Sequence, residues 1–247
     1  MTQQKTVEKL PASIFLGGNE EVSSLYRPKK TEVLRYHSIG EGVDEETDQL
    51  VEECMQEILE ISRFKYVYRS SEIAFREPSI SFTDSVMTLP GKSIREHLRA
   101  CEYVVFMAVT LGVEAESRIR YYSRTDLSRS VVLDACATAL VEALCEEVQE
   151  RIRRLAKEQD FFITPRFSPG YGDLPLTIQS PLLTHLNAYR RIGLSVSESS
   201  ILLPRKSVTA LIGITKEKQP TRKRLCAICH LNGNCRFSQE GEAGCAG

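Results

Sequence analysis

The chain has 247 residues, 42% of them apolar and 26% charged, with a formal net charge of −1. That supports one large domain, or one domain plus a small appendage, and argues against wholesale disorder. It lacks the basic excess of a protein that grips a phosphate backbone, so no nucleic-acid partner is expected. Met1 to Ala12 is polar, without the basic start and apolar core of a secretory signal. The longest near-apolar run, Tyr103 to Val113, is shorter than the roughly 18 residues a membrane-spanning helix needs. A soluble, cytoplasmic protein with no membrane partner is expected.

Residues 1–31 carry little pattern and read as an irregular N-terminal arm. Glu32 to Ile39 has the apolar and aromatic content of a strand. Asp44 to Ser62 predicts a helix, because Leu50, Val51, Cys54, Met55, Ile58 and Ile61 recur at three- and four-residue spacing. Phe64 to Ile73 alternates and is rich in aromatic residues, so it predicts a strand, with another over Ser79 to Leu89. Ser93 opens a helix with a capping-box pattern completed by Glu96. Val104 to Val109 reads as a buried strand, followed by a helix to about Ser123.

Asp126 to Lys157 predicts the longest helix, striped by Val141, Leu144, Val148, Ile152 and Leu155. Phe161 to Pro165 reads as extended, and Arg166 to Pro175 as a loop rich in Gly and Pro. Pro181 to Ile192 reads as a short helix stopped at Gly193. Leu194 to Leu203 and Ser207 to Thr215 look like two strands joined at Pro204-Arg205-Lys206. Strands and helices mix without a βαβ rhythm, which predicts an α+β fold with a largely antiparallel sheet flanked by helices. The domain proper is expected over residues 32–215, with residues 216–247 as a linker and Cys-rich tail.

The cysteines fall into two groups. Cys54, Cys101, Cys136 and Cys145 lie in patterned segments and read as small core residues of a protein in a reducing compartment. Cys226, Cys229, Cys235 and Cys245 crowd the tail as C-x2-C-x5-C with a fourth cysteine ten residues on. Soft sulfur ligands at that spacing suit zinc or an iron–sulfur cluster, and His230 can replace one of them; free thiols on a flexible tail are the alternative. His37, His97 and His185 stand apart and read as structural or surface residues.

No G-x-G-x-x-G, Walker loop or H-E-x-x-H occurs, so nucleotide-binding α/β folds and zinc proteases have no support. The segment Arg166 to Asp173 is the most unusual. Pro169 fixes φ, and Gly170 and Gly172 allow positive φ and close approach of a ligand. Arg166 offers a planar fork for a carboxylate, and Tyr171 a ring face for a cation. The same residues would also serve a tight turn that covers core edges. On the long helix, Glu142, Glu146 and Glu150 repeat at four-residue spacing, either because function calls for one of them or as a solvated acidic face partly offset by Arg154.

Leu34-Arg35-Tyr36, Thr110-Leu111-Gly112, the helix around Asp134 to Glu150, Arg166-x-x-x-Gly170-Tyr171, Ser197-Glu198-Ser199 and Pro204-x-x-Ser207-Val208-Thr209 occur in that order. Together they resemble the activation domain of cobalamin-dependent methionine synthase, in its stand-alone form, over roughly Val33 to Thr215. The resemblance implies binding of S-adenosylmethionine, with Arg166, Pro169, Gly170 and Tyr171 at the ligand and Glu142 approaching it. It also implies a role in reductive methylation of cob(II)alamin. The cobalamin would be carried by a partner methyltransferase, and the electron would come from a donor such as flavodoxin or ferredoxin. No acid–base residue is required, so no catalytic side chain is assigned. The chain departs from the multidomain enzyme at Lys216 to Lys218, where that enzyme has a tyrosine pair, and in the Cys-rich tail. An iron–sulfur electron-transfer protein and a zinc-binding interaction module are the competing readings.

Overall fold

A computed structural model of the chain describes residues 17–18, 29–37, 44–76 and 79–218. After β1 (Gly17–Gly18) and α1 (Lys30–His37), α2 (Glu45–Ile61) starts where the Asp44 carboxylate accepts the Thr47 backbone N–H at 2.7 Å. That bond pairs one of the donors a helix start leaves open. Val51, Cys54, Met55 and Ile58 are buried along one face of α2, as their spacing predicts.

The strand expected over Glu32 to Ile39 is instead helical through His37, and Val33 is fully buried in the helical layer. A window of eight residues is too short for apolar spacing to separate the two periods. Packing against a neighbouring helix decides the outcome.

β2 (Lys65–Arg76) is followed by β3 (Ser79–Phe82) and β4 (Ser85–Leu89), which pair as a hairpin. Next come α3 (Lys92–Leu98), β5 (Tyr103–Thr110), α4 (Val113–Thr125) and the 31-residue α5 (Leu127–Lys157). Asp126 caps α5 by accepting from Arg129 N at 3.0 Å. β6 (Phe162–Ile163) and a loop lead to α6 (Gln179–Leu186) and α7 (Ala188–Ile192). β7 (Ser195–Val196), β8 (Leu202–Leu203) and β9 (Ser207–Thr215) complete the described chain.

The main sheet runs β4-β3-β2-β5-β9-β6, with β1 set against β2, and every pairing is antiparallel. The expected α+β architecture therefore holds. All eight residues of β5 are buried, because both faces of the sheet are covered. Val105, Met107 and Val109 pack into a core built with α2, α4 and α5. Val104, Phe106 and Ala108 pack on the opposite side with α3, α6 and the β3–β4 hairpin. The period of two along a strand divides its side chains between these layers.

Two later elements differ from expectation. Pro181 to Ile192 is not one helix, because Asn187 adopts φ 51°, ψ 39° and separates α6 from α7. An Asn side chain tolerates this left-handed conformation better than most. Leu194 to Leu203 is not one strand but the β7–β8 hairpin. Ser200 N–H donates to Ser197 O at 2.9 Å, and Ile201 N–H to Ser197 Oγ at 3.1 Å, so the serine cluster reverses the chain.

Cys54, Cys101, Cys136 and Cys145 are buried free thiols, as expected. Cys226, Cys229, Cys235 and Cys245 lie outside the described residues. Among the described residues no helix is long and apolar enough to cross a membrane.

Candidate functional site

The segment after β6 is pinned to β9 at two points. Thr164 N–H donates to Gly213 O at 2.9 Å, and Phe167 exchanges bonds of 2.9 and 2.8 Å with Leu211. Arg166 sits between these anchors. Phe167 packs into the core on the α6 side, and its neighbour Arg166 turns toward α5.

The Arg166 side chain is only 5% exposed. Its Nη1 and Nη2 each donate to Glu142 Oε2 at 3.2 Å, and Nη2 also donates to Glu146 Oε1 at 3.0 Å. Burial works against its charge, but the adjacent Cys145, Glu142 and Glu146 outweigh burial and hold its pKa above the ordinary arginine value. Glu142 is 26% and Glu146 47% exposed, so the carboxylates border solvent while the cation between them is covered.

The acidic ladder does not continue. Glu150 pairs with Arg153, and Arg154 pairs with Glu147 at 3.6 Å rather than offsetting the Glu142 face. Glu142 and Glu146 thus form a set with Arg166 that excludes the next turn of α5.

The loop beyond Arg166 closes on itself. Tyr171 N–H donates to Ser168 O at 3.0 Å, with Pro169 at the first corner and Gly170 at φ 94° at the second. That is the signature of a type II turn. Gly170 N–H then donates to Leu174 O at 2.8 Å. The Tyr171 ring is 6.0 Å from the Phe167 ring, and the residue is 40% exposed.

Asp173 docks this loop on α3, accepting from Lys92 N at 2.6 Å and Ser93 N at 3.0 Å. These bonds hold its carboxyl below the usual range. The expected Ser93–Glu96 capping box is therefore replaced. α3 begins at Lys92, and a carboxylate that accepts two backbone N–H groups is a stronger cap than a serine hydroxyl. Gly172, at φ 52°, lies so close to α3 that a Cβ there would be 2.5 Å from Ser93 Oγ.

The structure thus joins Glu142 directly to Arg166 and sets Pro169, Gly170 and Tyr171 in the turn that follows. Glu146 is added to this set, legible in sequence only as one turn beyond Glu142. Thr164 and His97 support the loop from beneath, and no sequence signal marked either. Among the described residues no group of three or more His, Cys, Asp or Glu side chains is placed to hold a metal. A buried guanidinium flanked by two carboxylates, five residues before a partly exposed phenol ring, is suited to a small ligand carrying both charges.

The sequence profile of the vitamin B12 dependent methionine synthase activation domain matches residues 76–220, more than half of the chain. Among solved structures, the MetH reactivation domain bound to AdoHcy shares the fold, with a TM-score of 0.62 at 16% sequence identity. The likeness covers 83% of this chain and 81% of that one. No curated protein matches the sequence. With the antiparallel sheet, its helical layers and the profile match in agreement, the chain belongs to the activation-domain family of vitamin B12 dependent methionine synthase.

Proposed function

We propose that this chain binds S-adenosylmethionine at the Arg166 cluster and acts as a reactivation component for a cobalamin-dependent methionine synthase or a related corrinoid methyltransferase. The observation that carries this reading is the buried Arg166 held between Glu142 and Glu146, whose carboxylates border solvent. The relative's structure, which holds AdoHcy, supports the same ligand class.

The residues suit such a ligand. Glu142 and Glu146 present negative charge to its ammonium and sulfonium. Arg166 fixes both carboxylates, and a guanidinium carries five N–H donors, enough to serve a ligand carboxylate as well. Pro169 and Gly170 hold the turn, and Tyr171 offers a ring face to the positive sulfur. The ligand-binding domain spans residues 32–215, with residues 1–31 and 216–247 outside it.

Cobalamin, carried by the partner protein, supplies the nucleophilic metal that accepts the methyl group. An external donor such as flavodoxin or ferredoxin supplies the electron, and the reaction belongs to the cytoplasm. The protein's own contribution is to hold the sulfonium in line and keep competing geometries out. No side chain needs to move a proton.

Calorimetric titration of the full chain with S-adenosylmethionine tests this. A dissociation constant of millimolar or tighter, about −4 kcal/mol, is expected, together with a marked loss in Arg166→Ala. Absence of binding by the unsubstituted protein rejects the reading. The C-x2-C-x5-C spacing of the tail favours a second, compatible reading, a zinc or iron–sulfur site at Cys226, Cys229, Cys235 and Cys245. Metal analysis and the visible spectrum of anaerobically purified protein test it.

A further inference from the structure

His97 lies on α3, which packs on the opposite side of the sheet from α5. Its Nε2 is 3.0 Å from Pro165 O and 2.9 Å from Thr164 Oγ1. A carbonyl only accepts, so Nε2 carries the proton. Thr164 Oγ1 in turn accepts from Gly213 N at 2.8 Å and lies 3.0 Å from Pro165 O, to which its hydroxyl donates. The imidazole ring also packs 5.0 Å from the Phe167 ring. Every one of these contacts falls on a residue flanking Arg166, or on the strand that anchors it.

We infer that His97 is the positioning residue for Arg166, holding the Thr164–Phe167 backbone so that the guanidinium meets the two glutamates of α5 at the ligand site. This rests on the reading of that cluster as the S-adenosylmethionine site. The argument is geometric. An extended segment pinned only by its own backbone bonds to β9 is free to rotate about them. A third anchor, delivered from α3, removes that freedom at the peptide immediately before Arg166.

His185 is a matched control. It is a half-buried histidine whose Nε2 lies 3.0 Å from Ser71 Oγ and whose ring packs 4.9 Å from Phe106, away from the loop. The test compares His97→Ala, His97→Gln, His97→Asn and His185→Ala in the full chain. S-adenosylmethionine affinity is measured by calorimetry, and backbone exchange at Phe167 by hydrogen–deuterium exchange. His97→Ala should weaken binding about tenfold, the scale of a lost outer hydrogen-bond partner. It should also speed exchange at Phe167. Gln, whose Nε2 reaches as far as that of His, should restore both, whereas Asn falls short. His185→Ala should change neither.

Equal affinity in His97→Ala and the unsubstituted protein, or an equal loss in His185→Ala, overturns the inference. Should His97→Ala fail to fold, the Gln and Asn pair decides, and identical behaviour of those two overturns it. If the unsubstituted protein binds no S-adenosylmethionine, the ligand reading fails by itself. Exchange at Phe167 then stands alone, and no acceleration in the His97 variants overturns the positioning role.

Discussion

Glu142 Oε2 lies 3.2 Å from both terminal nitrogens of Arg166, although 24 positions separate the two residues in the chain. One carboxylate oxygen thus ties the middle of α5 to the edge of the sheet. Glu146, one turn later, adds a second tie at 3.0 Å. The same contacts that secure the helix against the loop present two carboxylates to solvent.

Removing one partner shows what this contact contributes. Glu142→Ala leaves a guanidinium that is 5% exposed with only part of its compensation. The expected loss is about 2 kcal/mol, below the ~3–5 of a fully buried pair because Glu142 itself is a quarter exposed. Urea unfolding checks this. Calorimetry of the same variant should show S-adenosylmethionine affinity lowered about tenfold, or 1.4 kcal/mol.

Arg166→Lys is not a mild change. A lysine ammonium cannot span Glu142 and Glu146 with a planar fork. Binding should fall nearly as far as in Arg166→Ala, while thermal stability falls less. Equal binding by Lys and Arg would count against the bidentate role.

Gly213 sits where β9 passes α3. A Cβ there would meet Cys101 Sγ and would lie 2.9 Å from Leu98 Cδ2 and 3.0 Å from Thr164 Cγ2. Gly213→Ala should therefore destabilise the protein by roughly 1–3 kcal/mol through overpacking. It should also disturb the Thr164 anchor beneath Arg166. Thermal melting and the S-adenosylmethionine titration report the two effects separately.

His97 and His185 supply a pH dependence of stability. Burial lowers the pKa of both below 6.5; for His185, Arg69 lowers it further and Asp84 opposes. Above 6.5 both are neutral whether the chain is folded or unfolded, and their contribution is constant. As pH falls below 6.5 the unfolded chain takes up protons first, so stability declines until the folded-state values are passed. Melting temperature should drop between pH 7.5 and 5.5, and His97→Gln should flatten part of that slope.

Thiol chemistry separates the two cysteine groups. Burial pushes the Cys54 thiol up to about 11 and those of Cys101 and Cys136 to about 12, and it raises Cys145 as well. These stay protonated and covered. A colorimetric thiol reagent should therefore leave these four of the eight cysteines unmodified in folded protein, and should modify all eight after unfolding and chelator treatment.

What was legible in the sequence is what local periodicity encodes. The apolar stripes of α2 and α5, the uninterrupted β5 and the Pro169-Gly170 corner each follow from residues close together in the chain, because helix and strand periods act over a few residues. The reading of Arg166 with Glu142 came from resemblance, since nothing in their spacing requires contact. Where the local signal was short, it misled. Eight residues around Val33 looked extended and are helical. The Ser93–Glu96 cap lost to Asp173, which lies 80 residues further on.

Tertiary structure alone decided the remainder. Only the stacking of α5 on the sheet shows that Glu146 joins Glu142 at Arg166 while Glu150 turns to Arg153. Only the packing of α3 beneath the loop brings His97 to Pro165 and Thr164. Contacts between residues tens of positions apart depend on how whole elements pack. A linear pattern records which face an element buries, and leaves open which partner it will bury it against.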